Sequence, residues 1–194
     1  MITVTPQLLM GISQPYRSNR GRAVAQQANF HTLPFHMNQW FTVYEINRNA
    51  LRVSHFLAQA CCETGYFLWL TERPARGGME YEPTTRAGRN VGNRFPGDGP
   101  KYIGRGLLHL TGRENYQRYG EKINQNLVDN PEIVASDPSL AVRTSCMFWR
   151  SRGLNNLADS DNFDEICYRV NGGTNGKPER KKALIKAKKL LNII

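Results

Sequence analysis

The chain has 194 residues and a formal net charge of +10, with 40% hydrophobic and 22% charged residues. That length can bury one sizeable core, and the hydrophobic share is that of an ordinary soluble protein. No apolar run approaches a membrane span, and the four cysteines sit in apolar stretches with Cys61 and Cys62 adjacent, so reduced, buried thiols are expected rather than a disulfide framework.

In chain order the pattern is helical almost throughout. Met1 to Pro6 lacks the basic start and long apolar stretch of a secretory signal, so synthesis in the cytoplasm is expected. Thr5 caps a short helix with Pro6 at its first position, and Gln39 to Asn47 and Asn49 to Glu63 continue the pattern. Val53, Phe56, Leu57 and Ala60 recur at three- and four-residue spacing, and Gly65 offers a stop. Arg113 to Tyr119 follows a Thr111-Gly112 turn, Asn130-Pro131 and Asp137-Pro138 start two more helices, and Asp164 to Val170 and Pro178 to Leu191 complete the set. No internal repeat or low-complexity linker appears, so residues 1–194 are expected to form a single catalytic domain, divisible into two lobes, without a wall-binding module.

Glu63 is the first candidate for chemistry. It stands in the last turn of an apolar helix, where burial and the partial negative charge of the helix end both favour the protonated form that a general acid needs. A solvated Glu at a helix end is the competing account. Glu72 supplies a second carboxylate from the equally apolar Leu68-Trp69-Leu70 setting. In one unbroken helix the two would lie about 13 Å apart along the axis and on opposite faces, so Gly65 must turn the chain for them to cooperate. A pair roughly 6.5–9.5 Å apart is what an inverting glycosidase uses to fit a water between base and sugar.

Four blocks in order give the chain a resemblance to glycoside hydrolase family 19, the plant-type chitinase family, and above all to its bacteriophage endolysin branch. They are Ala58 to Phe67 with Glu72, Gly92-Asn93 followed by Pro96 to Gly99, Tyr102 to Tyr116, and Val170 to Gly173 with Asn175-Gly176. The resemblance implies a mainly α, lysozyme-like fold with a cleft between a larger and a smaller lobe. It implies that Glu63 protonates the leaving oxygen, that Glu72 activates water, and that Thr111 holds that water. Asn115 and Asn171 fall where the family has substrate-contacting Asn, although Asn171 beside Gly172-Gly173 also reads as a turn residue. Tyr102, Arg105, His109 and Glu82 join the substrate-binding candidates. Arg105 is expected to pair with Glu72 or Glu82, and Glu82 has an accessory role in prospect or, as a surface acid, a pairing with Arg86 or Arg89. Asn93 and Asp98, in the glycine-rich stretch, are candidate polar contacts to sugar.

Two departures stand out. Cys62 precedes Glu63 where the family usually has His, and His109 stands where it usually has Gln. A lone His–Cys pair falls short of a metal site, so neither a metal nor another cofactor is expected.

The positive charge gathers partly in the last helix, where Lys177, Arg180, Lys181, Lys182, Lys186, Lys188 and Lys189 alternate with Leu184, Ala187, Leu190 and Leu191. A solvated face with an apolar stripe on the core is the plain account, and contact with an anionic membrane is the functional one. Nucleic acid is disfavoured, because no aromatic-interleaved basic motif or helix-turn-helix signature appears. The expected partner is peptidoglycan, with chitin the alternative, and the expected state is a monomer held in a host bacterial cytoplasm until a holin opens the membrane. A non-catalytic wall-binding descendant is the rival class.

Overall fold

The computed structural model describes residues 1–194 as a mainly helical chain divided into two compact units, Met1–Trp69 with Cys146–Ile194, and Leu70–Ser145. No helix is long and apolar enough to cross a membrane.

In the first unit, Thr5 accepts from the Leu8 N–H and starts α1 (Pro6–Ile12) as expected. Helix α2 (Arg20–Val43) is far longer than the sequence reading, which began a helix only at Gln39. Pro34 lies inside it and removes one backbone hydrogen bond, a cost of about 3 kcal/mol in an isolated helix. Burial outweighs that cost, because Gln26, Phe30, Leu33, Met37 and Phe41 recur on one face and are all buried. The helix stops before Glu45, whose φ of 57° is left-handed.

Asn49 caps α3 (Ala50–Glu63) by accepting from the Arg52 N–H, and α3 is buried from Arg52 to Cys61. Phe56 sits at the centre of the core, its ring 4.7 Å from that of Phe41 and 5.2 Å from that of Trp149. Arg52 donates to both oxygens of Asp159 and ties α3 to α9 (Leu154–Asp159). Helix α10 (Phe163–Asn171) leads to α11 (Lys177–Leu190), which lies along α3 and buries Arg180, Ala183, Leu184, Ala187 and Lys188. All four cysteines are free, three of them buried, and desolvation pushes the Cys61 thiol up to about 12.

After Glu63 the chain turns sharply. Gly65, Tyr66 and Phe67 have φ of 56°, 66° and 61°, three left-handed residues in a row. Only the first is glycine, and each of the others costs on the order of 1–3 kcal/mol. The turn is over-determined: the Tyr66 N–H donates to the Cys61 carbonyl at 2.7 Å, the Phe67 N–H to Thr64 Oγ1 at 2.8 Å, and Gln26 Nε2 to the Tyr66 carbonyl at 2.8 Å. Phe67 is thereby driven fully into the core.

The second unit holds the short helices α4 (Arg86–Asn90) and α5 (Asp98–Lys101), then α6 (Arg113–Ile123), α7 (Ile133–Ser136) and the first part of α8 (Pro138–Ser151). Tyr102 and Tyr116 are fully buried at its centre. Asp98 accepts from the guanidinium of Arg113 and from the N–H groups of Arg94 and Phe95, while Asn93 bridges the Tyr81 carbonyl and the Arg113 N–H. Both were candidate sugar contacts; at 4% and 2% exposure Asn93 and Asp98 are instead the internal ties of a loop-rich unit.

Candidate active site

In the first unit Glu63 meets a guanidinium. Arg180 Nη2 donates to Glu63 Oε1 at 2.5 Å, and Arg180 Nη1 donates to Gln59 Oε1 at 2.7 Å. Gln59 in turn donates to Cys167 Sγ, and Arg180 Nε reaches the Asn175 carbonyl at 3.5 Å. The Arg180 side chain is 4% exposed and that of Glu63 17%. A guanidinium at this distance favours the ionised carboxylate, opposite in sense to the burial and helix-end effects expected from sequence. It also fixes the rotamer of the acid. Neither Arg180 nor Gln59 was singled out from sequence, where Arg180 reads as one of many cations. A signal existed: Arg180, Ala183, Leu184 and Ala187 share the apolar stripe of α11, and an arginine on such a stripe needs a buried acceptor.

Cys62, at the family's histidine position, contacts the Gly176 carbonyl through Sγ at 3.9 Å, and desolvation raises its thiol above the ordinary range. Asn171 Nδ2 donates to the Asn175 carbonyl at 3.3 Å, so this amide braces the loop that also accepts from Arg180.

In the second unit a small ladder places Glu72. The Glu72 N–H donates to the Gly104 carbonyl at 2.8 Å, the Gly106 N–H to the Leu70 carbonyl at 2.9 Å, and Arg105 and Leu110 exchange both of their backbone hydrogen bonds. The Gly104 N–H returns to Glu72 Oε1 at 2.6 Å, and the Tyr81 hydroxyl reaches Oε2 at 3.3 Å. A β-carbon on Gly104 would lie 2.9 Å from Glu72 Cδ and 3.0 Å from Thr111 Oγ1, so carboxylate and hydroxyl are neighbours around one bare α-carbon. Thr111 Oγ1 donates to the His109 carbonyl at 3.1 Å and keeps its lone pairs for another donor. His109 itself is left-handed, with φ of 49°. Gly104 is the residue that sequence reasoning passed over here, although it lies inside a matched block.

Four of the substrate-binding candidates have partners within the chain. Tyr102 is fully buried, its hydroxyl donating to the Val128 carbonyl, so it is a core residue. Arg105 does not take the predicted place beside Glu72 or Glu82; it donates to the Lys101 and Ile103 carbonyls and the Tyr116 hydroxyl, because its ladder position turns it onto the tyrosine pair. Glu82 bonds neither Arg86 nor Arg89. Its carboxylate accepts from the Gly97 and Gly99 N–H groups, at the positive end of α5. Asn115 spends its amide internally, donating to the Thr111 carbonyl at 2.7 Å and accepting from Arg118 at 2.7 Å, so it steadies the Thr111 turn. No group of three or more His, Cys, Asp or Glu is arranged to hold a metal ion.

The sequence comparisons agree with the blocks on which these residues lie. A protein of Haemophilus influenzae described as containing a glycosyl hydrolase family 19 domain is 35% identical over 107 residues, covering 52% of this chain and 51% of its own. Acidic endochitinase Q of Nicotiana tabacum is 34% identical over 100 residues, covering 51% of this chain and 39% of its own. The chain thus spans about half, or less, of the length of the curated relatives it matches. Chitinase C of Streptomyces griseus superposes with a TM-score of 0.72 at 20% identity, over 97% of this chain and 76% of that one. The class IV chitinase of Zea mays gives 0.62 at 21%, over 98% and 92%, and at such identities the likeness is one of fold. The chitinase class I family model matches residues 26–162, well over half of the sequence, and the chain belongs to that family, glycoside hydrolase family 19.

Proposed function

We propose that the protein hydrolyses β-1,4 bonds of an N-acetylated bacterial polysaccharide, peptidoglycan in preference to chitin, with Glu63 as general acid and Glu72 as general base. The observation that carries the reading is the arrangement around Gly104: a carboxylate fixed by a backbone N–H at 2.6 Å with a threonine hydroxyl packed beside it. Such a pair can hold a water by two hydrogen bonds and take its proton as it attacks the anomeric carbon. Glu63 gives its proton to the departing glycosidic oxygen, and Arg180 keeps that carboxyl oriented and stabilises the carboxylate left behind. Water adds to the sugar, the leaving group takes the acid's proton, and the base holds the proton of the water until solvent exchange resets both.

The preference for peptidoglycan rests on the net charge of +10, which favours encounter with an anionic polymer. A lysin held in the cytoplasm until a holin acts fits this reading. Chitin remains the second substrate, favoured because the Nicotiana and Streptomyces proteins that this chain resembles are chitinases by name.

Two measurements test the chemistry. Glu63→Gln keeps an acceptor for Arg180 but has no acid proton, so wall lysis should fall by about 10²–10⁴ with the fold intact. A variant clearing walls at more than about a tenth of the parent rate removes Glu63 from the role. Proton NMR of the first product from a soluble N-acetylglucosamine oligomer should show the α-anomer, and a retained β-anomer sinks Glu72 as base. Mass spectrometry of products from purified peptidoglycan identifies the bond through its new reducing end.

A further inference from the structure

A pocket of about 340 Å³ opens in the first unit, lined by Ile12 at the end of α1 and Gln14 after it, by Tyr66, and by Glu179, Lys182, Ile185 and Lys186 of α11. Its position is tied to the acid. Tyr66 follows Glu63 by three residues, and Arg180, the partner of Glu63, is the neighbour of Glu179 on α11. Tyr66 reaches the pocket only because its backbone is held left-handed at φ 66° by the three hydrogen bonds of the turn, while Phe67 goes to the core. A bulky residue kept in that conformation, half-exposed on a pocket wall, points to use of its side chain.

The wall chemistry selects a ligand. The Tyr66 ring and the exposed Ile185 offer an apolar surface for the face of a sugar ring, and Gln14 can meet a hydroxyl or an acetamido group. Lys182 and Lys186 stand one turn apart on α11 against the single carboxylate of Glu179, leaving an excess of positive charge. Lys182 forms no salt bridge, and Lys186 uses donors on the Ile12 and Ser13 carbonyls, both at 3.4 Å. We propose that this pocket is a subsite for an N-acetylated sugar bearing a carboxylate, a muramyl unit, and that it makes the protein prefer peptidoglycan to neutral chitin. The inference rests on the substrate reading above but on none of its catalytic assignments.

The test separates binding from hydrolysis. Full-length Glu63→Gln protein labelled with ¹⁵N is titrated with N-acetylglucosamine, N-acetylmuramic acid and N-acetylmuramyl dipeptide. The two carboxylated ligands should bind about tenfold more tightly than the neutral sugar and shift the amides of Tyr66 and Lys182. A stronger response to the dipeptide assigns the carboxylate to the stem peptide, whereas a stronger response to N-acetylmuramic acid assigns it to the lactyl group, whose carboxyl is an amide in the dipeptide. Lys182→Glu should erase most of the preference, whereas Lys189→Glu, with the same charge change outside the pocket, should keep it. Tyr66→Gly relieves the backbone strain and should be at least as stable thermally, yet lose affinity for all three ligands. Equal affinities, equal effects at 182 and 189, or undiminished binding by the Tyr66→Gly variant each overturn the subsite. Failure of the parent to cleave any glycan while the titration holds sinks the catalytic reading alone; cleavage without the preference sinks the subsite alone.

Discussion

Gly104→Ala should impair catalysis far more than stability. The added β-carbon would sit 2.7 Å from His109 Cβ, 2.9 Å from Glu72 Cδ and 3.0 Å from Thr111 Oγ1, where carbon contacts normally settle at about 3.5–4.0 Å. Something must move by about half an ångström or more. Glu72 cannot simply swing aside, because its backbone N–H is bonded to the Gly104 carbonyl and its Oε1 to the Gly104 N–H. Carboxylate and hydroxyl are therefore pushed apart around the water they are proposed to hold. A misplacement near 1 Å commonly costs on the order of 10² in rate, so kcat on a soluble N-acetylglucosamine oligomer should fall by about ten- to a hundredfold. Overpacking costs about 1–3 kcal/mol, or roughly 2–12 °C in Tm for a chain of this size. Gly173→Ala is the control: a β-carbon there meets nothing within 4 Å, and Tm should stay within about 1 °C of the parent. A folded Gly104→Ala enzyme working within about twofold of the parent rate would refute the placement of water between Glu72 and Thr111.

Arg180→Met should lower kcat and move the alkaline limb of the pH–rate profile upward, since the guanidinium that favours ionised Glu63 is gone; Arg180→Lys should restore the limb more fully than kcat, and an unchanged profile in both makes Arg180 purely structural. The basic helix should respond unevenly. Lys188 is buried and donates to Asp161, which also receives His55, so Lys188→Gln should cost about 1 kcal/mol in thermal or denaturant unfolding, whereas exposed Lys189→Gln should cost nothing measurable. Acid should lower stability in two pH windows. Burial pulls His55 below 6.5 despite Asp161, so its contribution is complete above that value and declines as pH falls through it. Asp159 is lowered by Arg52; Asp98 and Asp161 are lowered by Arg113 with backbone N–H groups and by Lys188 with His55, in each case against burial. Their stabilisation is present above 3.8 and lost below it, so Tm should drop most steeply under about pH 4, and a Tm flat to pH 3 would contradict these pairings.

The sequence by itself determined the helical class, the family blocks and the ends of several helices, because those signals are local. A capping Thr5 or Asn49 satisfies N–H groups three residues away, and the apolar stripe of α3 repeats within a single turn. It did not reveal α2 before Gln39, since only the buried face from Gln26 to Phe41 outweighs Pro34. Nor did it sort the polar residues of the matched blocks. Glu63 and Glu72 stand out by their apolar settings, but Thr111 looks no more distinctive in sequence than Arg105 or Asn115, or than Glu82 between the blocks, and the difference lies in the partners that the folded chain supplies. Gly97 and Gly99 take up Glu82, and Arg118 takes up one side of Asn115. The tyrosine core takes up Arg105, whereas Gly104 sets Glu72 beside Thr111. The basic helix divides in the same way: Arg180 and Lys188 become internal ties while Lys182 and Lys189 stay in water. Charge and propensity are properties of one residue and its turn, but what a charge does depends on which groups tertiary packing strips of solvent and places within hydrogen-bonding reach.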